Sequence, residues 1–479
     1  MDRRRHRLPL AAGVAACLLL SNGIARADTL ALTGGTVIDG TGAPPIVDAT
    51  VLVEEGRIVA VGPDVAVPAD ARTLDVQGKY LIPGLMDANL HLMINIRLET
   101  LIKFEDRYDE IVLEAAQIAL KTGQTTVFDT WGPLAALKAA RDAISAGEAP
   151  GSRIYLAGNI IGFGGPLSPD FLGAAAPFLT KTFVKRINET WEQGTGRDLM
   201  WMTPDDVRAA VAEYAGKGMD FLKYGASGHT DMFFIQFSPR VQRAIVEEAH
   251  KAGMTVQAHT TSVESLDMAI DAGIDIVTHG DISGPRVPIP DETLKKLVDR
   301  GIPVSVLPIT QRRIDEYAQI HPRVPGAILA PYMKIGRENQ KAMIEHGVTM
   351  LLSTDAGVEN PVVAAESEGP NADPRTKLGE GHFNALAGLE ELGMAPQEIL
   401  RSATSHIATA YGVDDRLGTL EPGKTADIVV LGKDPLRSAA HYREVEMVIK
   451  DGAVVNLDAL PVAPVISSIP APATPSPRE

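Results

Sequence analysis

The sequence predicts a (β/α)8 barrel joined to a β-sandwich that both ends of the chain build together. Three observations carry this. Between residues 83 and 419, short apolar runs alternate with helical patterns about eight times. Residues 28–82 and 420–458 share a different texture, short β-type runs between Gly, Pro and Asp turns. Several helical patterns end in a glycine just before the next apolar run, as at Gly253, Gly273, Gly301 and Gly347. A chain of 479 residues, 45% apolar and 22% charged, is long enough for one large domain and a smaller one.

In chain order, residues 1–27 read as a signal peptide. Arg3, Arg4, Arg5 and Arg7 form a basic start, Leu8 to Leu20 an apolar stretch, and Ala25-Arg26-Ala27 a cleavage site. The stretch is too short to span a bilayer, so the mature chain is expected to be periplasmic or secreted, without an integral membrane segment. Val14-Ala15-Ala16-Cys17 resembles a lipoprotein box, but Leu18, Leu19 and Leu20 continue the apolar run, which favours cleavage after Ala27. That cleavage removes five arginines and one aspartate, taking the net charge from −16 to −20. It also removes Cys17, the single cysteine, and with it thiol chemistry, disulfides and cysteine-ligated zinc. So acidic a chain is no partner for nucleic acid; a small-molecule substrate is expected, and homo-oligomerisation stays open.

The first β segment includes Thr36-Val37-Ile38, Thr50-Val51-Leu52-Val53 and Arg57 to Val61. Its counterpart near the C-terminus includes Asp427 to Leu431, Val445 to Lys450 and the turn Asp451-Gly452. Between them, helices are expected over 239–251, 262–272, 291–300 and 336–346. Gly162–Met202 and Gly357–Gly381 interrupt the rhythm after strands, where barrel active sites are built, and read as candidate lids. Residues 459–479, rich in Pro, Ala and Ser, read as a disordered tail.

Polar residues recur at one kind of place, the C-terminal end of an apolar run. After Pro83-Gly84, the residues Asp87, Asn89 and His91 alternate onto one face. Lys223, His259, His279 and Asp355 close four later runs. In a barrel these ends converge on one mouth, where imidazoles, a carboxylate and a lysine suit one or two divalent ions such as zinc. Tyr224, His229 and Trp131 follow strand ends and are candidate substrate contacts; His382 and His406 fall in helical regions and read as structural.

The chain resembles the amidohydrolase superfamily, specifically its imidazolonepropionase-like and prolidase-like exported members. The resemblance rests on Gly78 to Asp87, Glu248 to Gly253, Gly273 to Gly280, Ser353 to Gly357 and Gly418 to Val429. It implies an N-carboxylated Lys223 bridging two metals, His259 and His279 on the second metal and Asp355 on the first. It also implies that Asp355 takes a proton from the attacking hydroxide and delivers it to the leaving nitrogen. The family's first strand carries His-x-His, whereas this chain has Asn89-Leu90-His91. An amide oxygen binds zinc more weakly than imidazole, which leaves the first site weakened, metal-selective or empty. Members that deaminate bases carry an acid three residues after the fifth-strand histidine; here that position is Ser262. The expected activity is therefore hydrolysis of a C–N bond in a small amide, N-acyl amino acid or dipeptide. The rivals are a lactonase or deaminase at the same centre and a catalytically silent, metal-depleted binding protein.

Overall fold

The computed structural model describes residues 29–469 apart from 94–97, 230–231, 233, 283, 285–286, 321–325 and 359–376. The expected signal segment with Cys17, most of the 357–381 insertion and the last ten residues lie outside these.

Five strands open the chain: β1 (Thr29–Val37), β2 (Ile46–Glu54), β3 (Arg57–Gly62), β4 (Arg72–Asp75) and β5 (Tyr80–Pro83). Nine follow: β6 (Leu85–Leu90), β7 (Gln124–Asp129), β8 (Arg153–Leu156), β9 (Ile160–Ile161), β10 (Leu222–Gly225), β11 (Val256–His259), β12 (Ile276–Thr278), β13 (Val304–Val306) and β14 (Met350–Leu352). Three close it: β15 (Ile428–Leu431), β16 (Val445–Lys450) and β17 (Ala453–Val454).

Both ends of the chain meet in one eight-stranded sheet of order β17-β16-β15-β5-β1-β2-β3, with β4 on β1. Its register is set by apolar side chains on one face, Leu30, Leu32, Val51, Val53, Leu81, Ile428 and Val430, which share a core. Leu81 sits opposite Val430 across the β5–β15 pair, so the late strand is held by the early one. Asp451 and Gly452, with φ of 51° and 78°, make the tight left-handed turn that returns β16 into β17.

The middle strands are parallel, in one sheet of order β6-β7-β8 and another of order β14-β13-β12-β11-β10-β9. Apart from Arg153 and Tyr155 of β8 their residues are buried, which is why the sequence shows continuous apolar runs there and no alternation. Backbone hydrogen bonds from Asp355 N–H to Asn89 O (2.9 Å) and from His91 N–H to Ala356 O (2.8 Å) tie the chain leaving β14 to the end of β6.

Helices fill the connections: α1 (Leu98–Lys103), α2 (Tyr108–Lys121), α3 (Leu134–Ser145), α4 (Lys181–Glu192), α5 (Pro204–Ala215), α6 (Pro239–Lys251), α7 (Val263–Ala272), α8 (Asp291–Arg300), α9 (Gln311–Ile320) and α10 (Gly326–Glu345). Gly253, Gly273, Gly301 and Gly347 follow four of them with φ of 72°, 91°, 64° and 75°, a left-handed conformation that other residues adopt at a cost. Ser262 stands just outside α7 as its N-cap, accepting from Ser265 N–H. The expected 336–346 helix is the second half of α10, which runs through Pro331. Among the described residues no helix is long and apolar enough to cross a membrane.

The expectation of disorder over 459–479 needs correction as far as residue 469, the remainder lying outside the described residues. Residues 460–469 pack along α2, burying Leu460, Val465 and Ile466. Lys121 Nζ donates to Leu460 O (2.8 Å) and Val462 N–H to Gln117 Oε1 (2.8 Å). The Glu114 carboxylate accepts the N–H groups of Val465 (2.8 Å), Ile466 (2.7 Å) and Ser467 (2.9 Å), and the Ser467 hydroxyl as well. Proline-rich composition hid the apolar anchors, and the carboxylate that holds them lies far away in sequence. Hydrogen bonds to a charged group contribute roughly 1.5–3 kcal/mol each, so Glu114→Ala should release this segment. Limited proteolysis with mass mapping should find cuts within 461–469 in the variant and none in the wild type; equal protection in both contradicts the account.

Candidate active site

The strand ends bring the expected polar residues to one cavity, lined by His91, Trp131, Ile160, Phe171, Lys223, His229, His259, His279 and Asp355. Asn89 lies in β6 and His91 just after it; Lys223 is in β10, His259 ends β11, and His279 and Asp355 follow β12 and β14. His279 and Asp355 both have positive φ, 63° and 56°. Left-handed backbone is costly for such side chains, and here it turns them into the cavity.

Asn89 is the hub. Its Oδ1 accepts from Lys223 Nζ (2.7 Å) and Thr130 Oγ1 (2.6 Å), while its Nδ2 donates to Asp355 Oδ1 (2.9 Å). His91 Nε2 also meets Asp355 Oδ1 at 2.9 Å. Across the cavity the His259 and His279 rings stand edge to face, their centroids 4.7 Å apart. Beneath them, Asp87 and Asp129 brace the strands. Asp87 accepts from Thr354 Oγ1 (2.6 Å) and Gln124 Nε2 (3.3 Å), and Asp129 from the N–H groups of Leu92 (2.7 Å) and Trp131 (3.2 Å).

Burial dominates the electrostatics. It pushes the Lys223 ammonium down to about 8 and His279 down to about 4, and holds His259 well below the usual histidine value. His91 is lowered by burial too, against the pull of Asp355. Burial raises Asp87 to about 7 and Asp129 to about 8. For Asp355 burial is outweighed by His91, His279 and Lys223, which hold its carboxyl well below the ordinary range.

Among the described residues no three His, Cys, Asp or Glu side chains converge as a ready-made metal cluster. The donors instead form two pairs, His91 with Asp355 and His259 with His279. A cation is nevertheless chemically suited to them. His259 Nε2 is buried with no hydrogen-bond partner among the described residues, an arrangement that costs free energy unless something accepts its lone pair.

The sequence profile of the amidohydrolase family matches residues 80–455. The chain belongs to the amidohydrolase family. An imidazolonepropionase of Geobacillus kaustophilus is 25% identical over 440 residues, covering 86% of this chain and 91% of that protein. Among solved structures, molinate hydrolase is 36% identical with a TM-score of 0.87, covering 94% of this chain and 99% of that one. Phenylurea hydrolase B is 34% identical with a TM-score of 0.87, covering 92% and 100%.

In this amidohydrolase the expected substrate contact at Tyr224 needs correction. Lys223 faces the cavity, so its neighbour on the strand points the other way. Tyr224 is fully buried against α6, its hydroxyl donating to Gln242 Oε1 (2.9 Å). His229 and Trp131 do line the cavity. Phe171 was not legible in the sequence: it comes from the 162–202 insertion and stacks on Trp131 with centroids 4.0 Å apart. Thr130 was not legible either, since an isolated threonine at a strand end carries no motif, and within Ser353–Gly357 the pattern gave a role to Asp355 and none to Thr354.

His406 Nδ1 faces Met350 O (3.4 Å), and His382 Nε2 donates to Thr122 O (3.2 Å), away from the cavity. Burial pushes the His382 pKa down to about 3, against the Thr122 carbonyl. Below about pH 6.5 the unfolded chain therefore takes a proton that the folded one refuses, and stability falls as pH drops from there toward 3. Urea titrations at pH 7 and 5 should show His382→Gln losing about 2 kcal/mol less than wild type over that interval. Identical pH slopes would contradict this.

Proposed function

We propose that this amidohydrolase hydrolyses the C–N bond of small neutral amides and ureas, at a divalent-metal centre in the mouth of a (β/α)8 barrel backed by a β-sandwich. The observation that carries the reading is the composition of the cavity. A buried cluster of strand-end donors faces an apolar wall of Trp131, Ile160 and Phe171. Among its described lining residues Lys223 is the only cation, and it is committed to Asn89 and Thr130. The carboxylate of a dipeptide or N-acyl amino acid therefore lacks a described partner, which turns the expectation toward neutral substrates. The 34% identical relative is named for hydrolysis of phenylureas, which supports the same class.

His259 and His279 would hold one ion, His91 and Asp355 a second, with Lys223, as the amine or its carbamate, between the pairs. Zinc is the ion that imidazole and carboxylate donors suit. Such an ion supplies a Lewis acid for the carbonyl and lowers the pKa of water.

The chain's own residues do the rest. A lysine lowered to about 8 has a substantial neutral fraction, the form that reacts with CO2. Asp355 receives the proton of the attacking water and passes it to the leaving nitrogen. Asn89 Nδ2 and the left-handed backbone aim its carboxylate. Trp131 and Phe171 exclude solvent from the acyl flank. Ser262, where deaminating members carry an acid, is occupied in capping α7, which favours hydrolysis over deamination. The pattern of residues 1–27 supports action outside the cytoplasm.

Steady-state kinetics on matched panels tests the reading. Neutral aryl and alkyl amides and ureas should exceed N-acyl amino acids and dipeptides in kcat/KM by at least about tenfold, and Asp355→Asn should lower kcat about 10²–10⁴-fold. Preference for carboxylate-bearing substrates, or an active Asp355→Asn enzyme, would contradict it.

A further inference from the structure

His229 lines the cavity but stands apart from the strand-end donors, and the hydrolytic reading gives it no task. Its surroundings fix which nitrogen carries the proton. Nδ1 lies 2.7 Å from the backbone oxygen of Asp170. A carbonyl oxygen only accepts, so Nδ1 carries a proton, and the neutral tautomer that fits this bond has its lone pair on Nε2. Nε2 has no hydrogen-bond partner among the described residues, and the ring borders the same cavity as His259, with centroids 6.0 Å apart.

The insertion holds this arrangement in place. Phe171 and Phe163 pack on the ring, with centroids 4.7 and 5.9 Å away. The Asp170 side chain is 3% exposed; it pairs with Arg197 and accepts Gly164 N–H at 2.8 Å. The carbonyl that sets the tautomer is thus anchored by its own residue's carboxylate, at both ends of the 162–202 segment.

We infer that His229 is a specificity residue: through Nε2 it accepts a hydrogen bond from an N–H beside the reacting carbonyl, and so selects secondary over N,N-disubstituted amides and ureas. The inference rests on the hydrolytic reading and adds to it a substrate class. The scissile carbonyl oxygen is itself an acceptor and gains nothing from a neutral Nε2. The amide N–H is the one group of that unit complementary to it. A site built around a hydrogen bond rejects the analogue that lacks it, because the site's polar atom is then left dry.

The test compares N-benzylacetamide with N-benzyl-N-methylacetamide in the metal-loaded enzyme. Wild type should favour the N–H amide in kcat/KM by about tenfold or more. His229→Leu should lower that preference to within about threefold by losing activity on the N–H amide alone. His229→Gln, whose Oε1 also accepts, should restore part of it. Heteronuclear NMR of histidine-labelled enzyme should find the His229 proton on Nδ1. A preference unchanged in His229→Leu, equal losses on both amides, or a proton on Nε2 overturns the inference. Should wild type turn over neither amide, the hydrolytic reading falls by itself, and calorimetric binding of the pair decides: tighter N–H binding that His229→Leu abolishes upholds the assignment, and equal affinity overturns it.

Discussion

Asn89 joins a fully buried charge to a half-buried one. Lys223, fully buried, donates to its oxygen, and its nitrogen donates to Asp355. An unpaired buried ion is expensive, and the direct attraction of a lysine and a carboxylate recovers that cost only in good geometry. A carboxamide offers an acceptor and a donor on one rigid plane, so it satisfies both ions while keeping them apart. The remainder of the site follows from this link. Thr130 braces Asn89 from the next strand, and Asp87 fixes Thr354 beside Asp355.

The cavity has two origins with different physics. The parallel strands deliver the donors, because their successive ends border one cavity and are locked by main-chain pairing. The long insertion completes the apolar wall with Phe171, held by the Asp170–Arg197 pair and by stacking on Trp131. The donors therefore sit in or just after strands, whereas Phe171 sits on a long connection. The left-handed backbone at His279 and Asp355, and a His259 Nε2 without a hydrogen-bond partner among the described residues, are local costs that the surrounding packing sustains.

The donor positions were legible because each closes an apolar run, and the family motif added the rest. The same reading exposed Asn89 as the departure but not its role, since its partners lie 134 and 266 residues away. Tyr224 misled because adjacency to a strand end says nothing of direction; alternation, applied to Lys223 first, places the tyrosine behind the sheet. Phe171 sits in a segment without periodicity. The ordered stretch 460–469 was masked by composition, although Val465 and Ile466 are the kind of anchors that a buried Glu114 can hold. Composition describes a segment's average, whereas docking depends on a few contacts.

The proposed divalent-metal centre rests on the two donor pairs around Lys223 and Asn89. Elemental analysis of the purified wild-type protein by inductively coupled plasma mass spectrometry, beside a folded His259→Ala, His279→Ala double variant, tests it most directly. Wild type should carry about one to two equivalents of divalent metal, falling by at least about one equivalent in the double variant together with hydrolytic activity. Stoichiometric metal retained by the double variant, or an active wild type without any, would contradict it.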